Sequence, residues 1–445
     1  MRINRNIRQN WAKTYTSNAR DIIYPKNENE ITHLVKYCNK YKTKLRVVGG
    51  GDSYNDIYCP NDGGLLVSLK NYNKLLNVDT QSKTATFEGG MMMPDLIKAL
   101  KKYNLSVSNL GTNIFDAVAG SCSTGYHGSG ITFGIFSTFV VEFEIITPSG
   151  EKKSIKNSDK EFEFYGCALG SLGIISKITL QCEEQFNLEV IEEVVHIGEI
   201  EKNFDTYLQD RHFKFIWIPH TDKFMVWRAN KTDKKPEGKF KRFMNYGVYG
   251  LFINNFFHEF LLIFALNSRK LIPQINKLMA KILLPKKQSK STWESEWAFF
   301  LPHLLKQDVV EYAFDIKDTF KVFREVIDRI KEEKISVDTP IEVRFVKKDN
   351  FALSPSGGYD TCWIGTKIHF PYYQKPEYLR YFTLIDEVLA KYNGRPHFGK
   401  QFRITTKDFK KVYPRWDEFW SFVDNEDPNK IFENDFIKRL RYSNK

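Results

Sequence analysis

The chain has 445 residues, with 66 Lys or Arg against 54 Asp or Glu for a formal net charge of +12. Hydrophobic residues make up 42% and aromatic residues 15%, which excludes a disordered or collagen-like chain and leaves length enough for two or three domains with a sizeable core. The basic surplus is spread thinly and comes without zinc-finger spacing or an aromatic–basic RNA-binding pattern, so a nucleic-acid partner is not expected.

The amino terminus, Met1 to Asn6, shows no apolar run of a signal peptide, and an intracellular protein, cytoplasmic or peripherally membrane-associated, is expected. Residues 28–42 place Ile31, Leu34, Val35, Cys38 and Tyr41 at helical spacing, and Asn27 with Glu30 three positions on predicts a capped start. Leu45 to Val48 reads as a buried strand running into Gly49-Gly50-Gly51-Asp52-Ser53. Strands follow near 76–78 and 84–88, then a short helix over 94–103. A second glycine-rich segment spans Ser108 to Gly111 and Gly120 to Gly130. The strands 139–147 and 174–182 close this glycine-punctuated unit, and a domain boundary is expected near Glu183–Phe186.

Beyond it, strands are predicted at 213–218, 223–228 and 341–346, and helices at 317–333 and 377–392, the last ending in a left-handed stop at Gly394. Lys231, Lys234, Lys235, Lys239, Lys241 and Arg242 form one dense basic patch. It reads as a solvated loop, with acidic lipid headgroups or polyanions as the second reading. The apolar stretch 246–266 follows. Asn254, Asn255, His258 and Glu259 interrupt it, so the pattern predicts a buried or interfacial helix rather than a membrane span. Peripheral membrane contact through 231–266 is the second reading. Cys38, Cys59, Cys122, Cys167, Cys182 and Cys362 are scattered without a C-x-x-C pair, so neither a disulfide framework nor a metal site is expected.

Three segments carry candidate chemistry. Glycines at 49–51 let backbone N–H groups converge on an anion, although a tight turn explains a triple glycine equally well. The spacing is neither a P-loop nor a Rossmann fingerprint. A second loop, with Ser123, Thr124 and His127 among glycines, suits a pyrophosphate clamped from both sides. Glu342-Val343-Arg344 places a carboxylate and a guanidinium on one face of a strand, either as a surface ion pair or as a pocket lining that stabilises developing negative charge. Lys400 follows Gly399 and reads equally as a loop charge. His397 reads as a structural histidine.

Together these segments resemble the aldonolactone oxidases of the vanillyl-alcohol-oxidase flavoprotein superfamily, in particular those acting on L-gulonolactone. The resemblance rests on N-W-A-K-T-Y (10–15), V-V-G-G-G-D-S-Y-N-D-I (47–57), S-N-L-G (108–111), T-G-Y-H-G-S-G (124–130) and L-G-I-I (172–175). F-I-W-I-P-H (215–220), E-V-R-F (342–345), R-P-H-F-G-K (395–400) and D-P-N-K-I-F (427–432) continue it in family order. It implies an α+β protein: a PCMH-type FAD-binding domain of two α/β subdomains (1–183), a substrate-binding cap domain with an antiparallel sheet flanked by helices (184–400), and a carboxyl-terminal segment (401–445) returning to the flavin domain. It implies that Val48, Gly49, Gly50, Gly51, Asp52 and Ser53, with Gly120, Ser123, Thr124, Gly125 and His127, cradle FAD. Asn109 and Gly111 would then lie near the isoalloxazine and Ile175 near the adenine.

The implied reaction oxidises a secondary hydroxyl of a sugar-acid lactone or polyol, with Glu342, Arg344 and Lys400 on the substrate side. Asp52 stands where these oxidases carry the histidine that bonds the flavin, so non-covalent FAD is expected. Gly111 stands where related dehydrogenases carry an alanine, which points to molecular oxygen as acceptor and hydrogen peroxide as product. A flavin dehydrogenase with another acceptor, and a flavin-binding protein with little catalysis, are the alternatives.

Overall fold

The first helix, Glu28–Tyr41, begins as its sequence predicts: the Asn27 side chain accepts the Glu30 N–H at 2.9 Å, and the Glu30 carboxylate accepts the Lys26 N–H at 2.8 Å. It buries Ile31, Val35 and Cys38 and stops at Lys42, whose φ is 53°. The computed structural model describes residues 7–61 and 63–443; the 1–6 segment read above for a leader lies outside the described residues. The helix is the crossover that a parallel sheet requires. That sheet has three strands, in the order Asp21–Ile23, Leu65–Val67, Leu45–Val47.

Two antiparallel sheets follow. One has five strands in the order Leu75–Asp79, Thr84–Glu88, Ile174–Gln181, Val140–Ile146, Lys152–Lys156. The other has eight, in the order Ser289–Glu294, Asn187–Val195, Phe224–Thr232, His212–Trp217, Ile341–Val346, Thr361–His369, Gln307–Asp315, Arg395–Pro396. Phe213, Phe215, Trp217, Val343, Phe345, Ile364, Tyr312 and Phe314 on one face of the large sheet share a core with Val322, Phe323 and Val326 of the helix Thr319–Glu332 and Ile385 and Val388 of the helix Leu379–Lys391. Each fully buried side chain of this kind contributes roughly 1.5–3 kcal/mol. The sheet's opposite face is polar at its centre. Helices Thr406–Val412, Trp416–Glu426 and Asp435–Tyr442 pack Phe409, Trp416, Phe419 and Phe436 into the core that holds Phe143, Phe162 and Tyr165. The whole is the α+β arrangement expected.

One local expectation is corrected. The left-handed residue after the helix Leu379–Lys391 is Asn393 (φ 53°) rather than Gly394. At Gly394 a Cβ would meet Leu389, so close packing rather than φ requires glycine there. The apolar stretch belongs to a helix of 27 residues, Lys239–Ala265, long and apolar enough to cross a bilayer. The interrupting polar residues face protein. Asn255 bonds Gly250, Pro302 and Leu304, His258 is buried, and Glu259 accepts the Tyr372 N–H. Phe240, Phe243, Phe252, Phe256, Phe260 and Phe264 are exposed.

One buried side chain holds the amino-terminal lobe together. Arg46 donates to the carbonyls of Ile57 (2.9 Å), Leu169 (2.7 Å), Gly170 (3.1 Å) and Phe432 (2.9 Å), and so links the glycine-rich loop, the 169–173 turn and the carboxyl-terminal segment. Asn434 adds bonds to the carbonyls of Ile57 and Cys59. Removing a charged donor from buried carbonyls forfeits several strong hydrogen bonds at once. Arg46→Ala is expected to cost on the order of 3–5 kcal/mol in urea unfolding; a loss under about 1 kcal/mol would show that water replaces the guanidinium.

Candidate active site

Val48 is buried at the end of its strand, and its N–H donates to Val67. The chain then turns through Gly51, whose φ of +70° favours glycine and whose carbonyl accepts the Trp11 N–H at 2.7 Å. A Cβ at Gly49 would collide with that of Ala117, and one at Gly50 would lie 2.9 Å from the Phe115 carbonyl. The two glycine-rich segments therefore touch. At Gly120, on the same short helix as Ala117's neighbours, a Cβ would meet nothing within 4 Å, so this side of the contact is open. The Asp52 carboxylate folds back over Gly50. Ser53 holds the Asn10 amide through its carbonyl (3.0 Å).

The second segment divides. The Ser123 and Thr124 hydroxyls donate to Ala119 and Gly120 of their own helix, and Gly125, φ +81°, caps that helix against Pro355 and Cys167. They do not join Gly49–Ser53, because helix geometry turns both hydroxyls back on the preceding carbonyls. His127 is also displaced from the expected cradle. Its Nδ1 lies 2.9 Å from the Gly128 carbonyl, its Nε2 3.4 Å from Glu311 Oε1, and its ring stacks on Trp363 at 3.9 Å. It thus belongs to the seam with the large sheet. Asn109 Oδ1 and Ser121 Oγ are buried without a hydrogen-bond partner, and Gly128 has no room for a Cβ beside Asn109. Orphaned polar atoms beside a backbone stripped of side chains are what a bound dinucleotide would satisfy, and the residues fit FAD. The Ile175 carbonyl packs on Gly89, at which a Cβ would collide with it.

Gly111 donates its N–H to the Tyr126 hydroxyl at 2.7 Å, and a Cβ there would point at the Tyr126 ring and at the His127 carbonyl, 2.9 Å away. The space that glycine was expected to leave for oxygen is filled by Tyr126 in the Cβ direction.

Across the seam stands the polar face of the large sheet. Strand pairing sets Lys214 opposite Arg344, Glu342 opposite Gly365, and Arg344 opposite Trp363. Since paired residues share a face, Lys214, Glu342, Arg344, Gly365 and Lys367 project together. Arg344 bonds Glu342 Oε2 at 2.5 Å and Thr112 Oγ1 at 3.1 Å, while Lys214 holds Glu342 Oε1 at 2.8 Å. Lys400 lies over the Tyr54 ring at 4.8 Å, and the Tyr54 N–H donates to Gly399. The Lys214, Glu342 and Arg344 side chains keep 14%, 22% and 12% of their surface accessible although they lie deep between the lobes. They therefore border a space that solvent reaches, the chamber of the candidate site.

Burial works against ionising Glu342, but the charges and hydrogen bonds of Arg344 and Lys214 overcome it and hold the carboxyl well below the usual carboxylate range. Glu311 follows the same logic through His127, with Arg344 and His397 adding to it. Lys367 is pushed down to about 8, first by burial and then by Arg344, Lys400 and Lys214 against the opposing pull of Glu342. Lys214, Glu311 and Lys367 escaped the sequence reading. Their signal was a charged side chain inside an otherwise apolar strand, as in H-F-K-F-I-W and T-K-I-H. His397 accepts the Gly399 N–H at 3.0 Å, the structural use expected of it.

A D-arabinono-1,4-lactone oxidase family model matches residues 178–440, and an FAD-binding domain model matches 19–155. The L-gulonolactone oxidase of Scyliorhinus torazame is 32% identical over 435 residues, covering 97% of each chain. The chain belongs to the aldonolactone oxidase family. It is an FAD-dependent oxidoreductase acting on a CH–OH donor. This aldonolactone oxidase family member is also 30% identical to the L-gulonolactone oxidase of Mus musculus over 439 residues, 98% of each chain. It is 28% identical to the L-gulono-1,4-lactone dehydrogenase of Mycobacterium tuberculosis over 440 residues, 98% of this chain and 99% of that one. Its fold matches the crystal structure of cholesterol oxidase from B. sterolicum, with TM-score 0.77 at 16% identity over 97% of this chain and 96% of that one.

Proposed function

We propose that this protein oxidises a secondary hydroxyl of an aldonolactone such as L-gulono-1,4-lactone or D-arabinono-1,4-lactone, with dissociable FAD and molecular oxygen as the final acceptor. The observation that carries the reading is the Lys214–Glu342–Arg344 group, set on a rigid sheet and facing the glycine-lined segments across the chamber. Gly49 to Ser53, Asn109, Gly111 and Gly120 would hold the cofactor. Bound FAD supplies the acceptor for the hydride that leaves the carbinol carbon.

Glu342 is held ionised by two cations, so it accepts substrate hydroxyl hydrogens and fixes the ring's orientation; so acidic a carboxyl is a poor base. Arg344 is the fixed cation for alkoxide-like charge developing at the reacting oxygen, and Thr112 and Glu342 keep its guanidinium in place. Lys400 bonds the reacting hydroxyl. Asp52 offers a carboxylate at the position of the linking histidine, and an ester to the flavin methyl group would not survive hydrolysis as an imidazole link does. An acceptor other than oxygen is the second reading, because Tyr126 fills the side of Gly111 that would open a path.

In anaerobic stopped-flow measurements, Arg344→Met is expected to slow flavin reduction by lactone by about 10²–10³-fold while FAD stays bound; near-normal reduction would remove Arg344 from the mechanism. Mixing the reduced wild type with oxygen separates the acceptors: fast reoxidation with peroxide supports the oxidase, slow reoxidation the dehydrogenase. Acid precipitation is expected to leave the yellow colour in the supernatant. Colour in the pellet would establish a covalent link.

We further propose that the helix Lys239–Ala265 meets a lipid surface. Its exposed phenylalanines supply the apolar contact, and Phe252, Phe256, Phe260 and Phe264 recur every fourth residue on one stripe. Much of the adjoining basic patch is already paired, Lys231 with Glu183, Lys234 with Glu189 and Lys241 with Glu237, so contact rests on burial of aromatic surface more than on charge. Flotation with zwitterionic vesicles is expected to carry the wild type and to lose a Phe252→Ser, Phe256→Ser, Phe260→Ser variant; co-flotation of both would refute the assignment.

A further inference from the structure

Beyond Glu342 the polar face of the large sheet carries a cation that no described residue neutralises. Glu342 is shared by Lys214 and Arg344, and Glu311 faces His127. Glu192 lies on the far side of Lys214, reached through Trp227 in the strand register, and its hydroxyl partner is Ser289. Lys367 remains. Its Nζ makes no hydrogen bond or ion pair to any described residue, and only the field of Glu342 favours its charge, against those of Arg344, Lys400 and Lys214. It sits two residues beyond Gly365, the residue paired with Glu342, so on the same face and roughly 6–7 Å further along the strand. Gly365 puts no side chain between them.

The groups around Lys367 are also polar and unsatisfied. Lys367 is the foremost charge acting on His303 and on His258. The His258 and His369 rings meet edge to face at 5.3 Å. These two residues are 4% and 5% exposed, and His258 Nε2 and His369 Nδ1 have no hydrogen-bond partner. Burial keeps the imidazoles neutral, so each can donate one N–H. An unpaired ammonium beside donor-capable imidazoles repels a cation and attracts an oxyanion.

We propose that Lys367, with His369 two residues further on the same strand face, forms an anion subsite at this end of the substrate chamber, and that the preferred substrates, lactone or open-chain, carry an ionised carboxylate or phosphate group besides the hydroxyl that is oxidised. The inference rests on the reading that this chamber binds the hydroxyl compound to be oxidised, and it adds an ionised group to the preferred members of that class. An ionised tail bound at Lys367 leaves Glu342 and Arg344 for the hydroxyls nearer the glycine-lined segments. The subsite thereby selects by charge what the neighbouring pair orients by hydrogen bonding.

The test uses the FAD-loaded full chain with sorbitol, D-gluconate and sorbitol 6-phosphate, three probes of one carbon skeleton that differ in ionised group. Anaerobic calorimetry gives Kd, and dye-coupled turnover gives KM and kcat. At least one ionised probe is expected to bind tenfold or more tightly than sorbitol, and which of the two wins assigns carboxylate or phosphate. Lys367→Met is expected to abolish that ratio through Kd and KM, and Lys367→Arg to restore it. Thermal melting and flavin content check the fold, and Lys367→Gln replaces a Met variant that loses flavin. Equal binding of neutral and ionised probes, or discrimination that survives loss of the ammonium, overturns the subsite. If a lactone reduces the flavin while the ionised probes gain nothing, only the subsite fails. If no hydroxyl compound reduces it, the proposed function fails, and calorimetry still reads the subsite.

Discussion

Everything in this molecule that bears on chemistry depends on the two faces of one sheet having opposite characters. Along His212–Trp217 and Ile341–Val346 the residues alternate between aromatic or aliphatic side chains and charged ones. The apolar set, Phe213, Phe215, Trp217, Val343 and Phe345, is sealed against two helices, and its burial fixes the register. A slip of one residue would turn Glu342 and Arg344 into that core and expose Phe345, so packing on one face pins the charges on the other. Burying several ions costs several kcal/mol apiece even after the interior relaxes. The aromatic core offsets that cost, and the lobes are held in place from a separate quarter.

That second hold is the seam at 127–130. Gly130 donates its N–H to Phe345, Ser129 bonds both Phe213 and Phe345, and the His212 ring bonds the Ser129 carbonyl. The glycine-rich loop of the flavin-side lobe is thus stitched into the central strands of the cap sheet, with His127 and Glu311 meeting beside the stitch. The geometry places the His127 ring against Glu311 and Trp363 rather than against Gly49 to Ser53. In T-G-Y-H-G-S-G the helix is capped at Gly125, Tyr126 turns back to Gly111 and Asn113, and Ser129 and Gly130 reach the large sheet.

Signals within one element were readable from the residues in order. Asn27 and Glu30 cap a helix because the partners are three residues apart. Glu342 and Arg344 share a face because they are two apart on a strand. Contacts that depend on register between distant strands were not readable: nothing near Lys214 in sequence shows that it will hold Glu342, 128 residues on. Glycine was informative about closeness but not about what comes close. Gly49 and Gly50 answer to Ala117 and Phe115, and Gly111 to Tyr126, partners that only the fold supplies. The long apolar helix was legible only as apolar and interrupted, for a related reason. Counting polar residues along it says nothing of the side they occupy, and Asn255 and His258 are turned inward, where Pro302 and the sheet satisfy or bury them.

The disposition of charge also constrains where the hydroxyl proton can go. A group that takes it must be basic enough to hold it and free of a stronger claim on its lone pair. Glu342 fails the first condition, because two cations stabilise its ionised form. Glu311 fails it for the same reason through His127. Arg344 fails the second in principle, since a guanidinium beside two carboxylates is held charged more firmly than usual. The carboxylates and guanidinium of this chamber are therefore fixed charges that shape the field without titrating. A proton released from substrate passes to an amine or to the solvent path beside it, and Lys367, pushed down to about 8, is the described lysine of the cluster shifted towards neutral pH. A site built this way separates orientation from proton movement: one pair holds its charge throughout, and Lys367, which can lose its own, stands two residues beyond that pair's register.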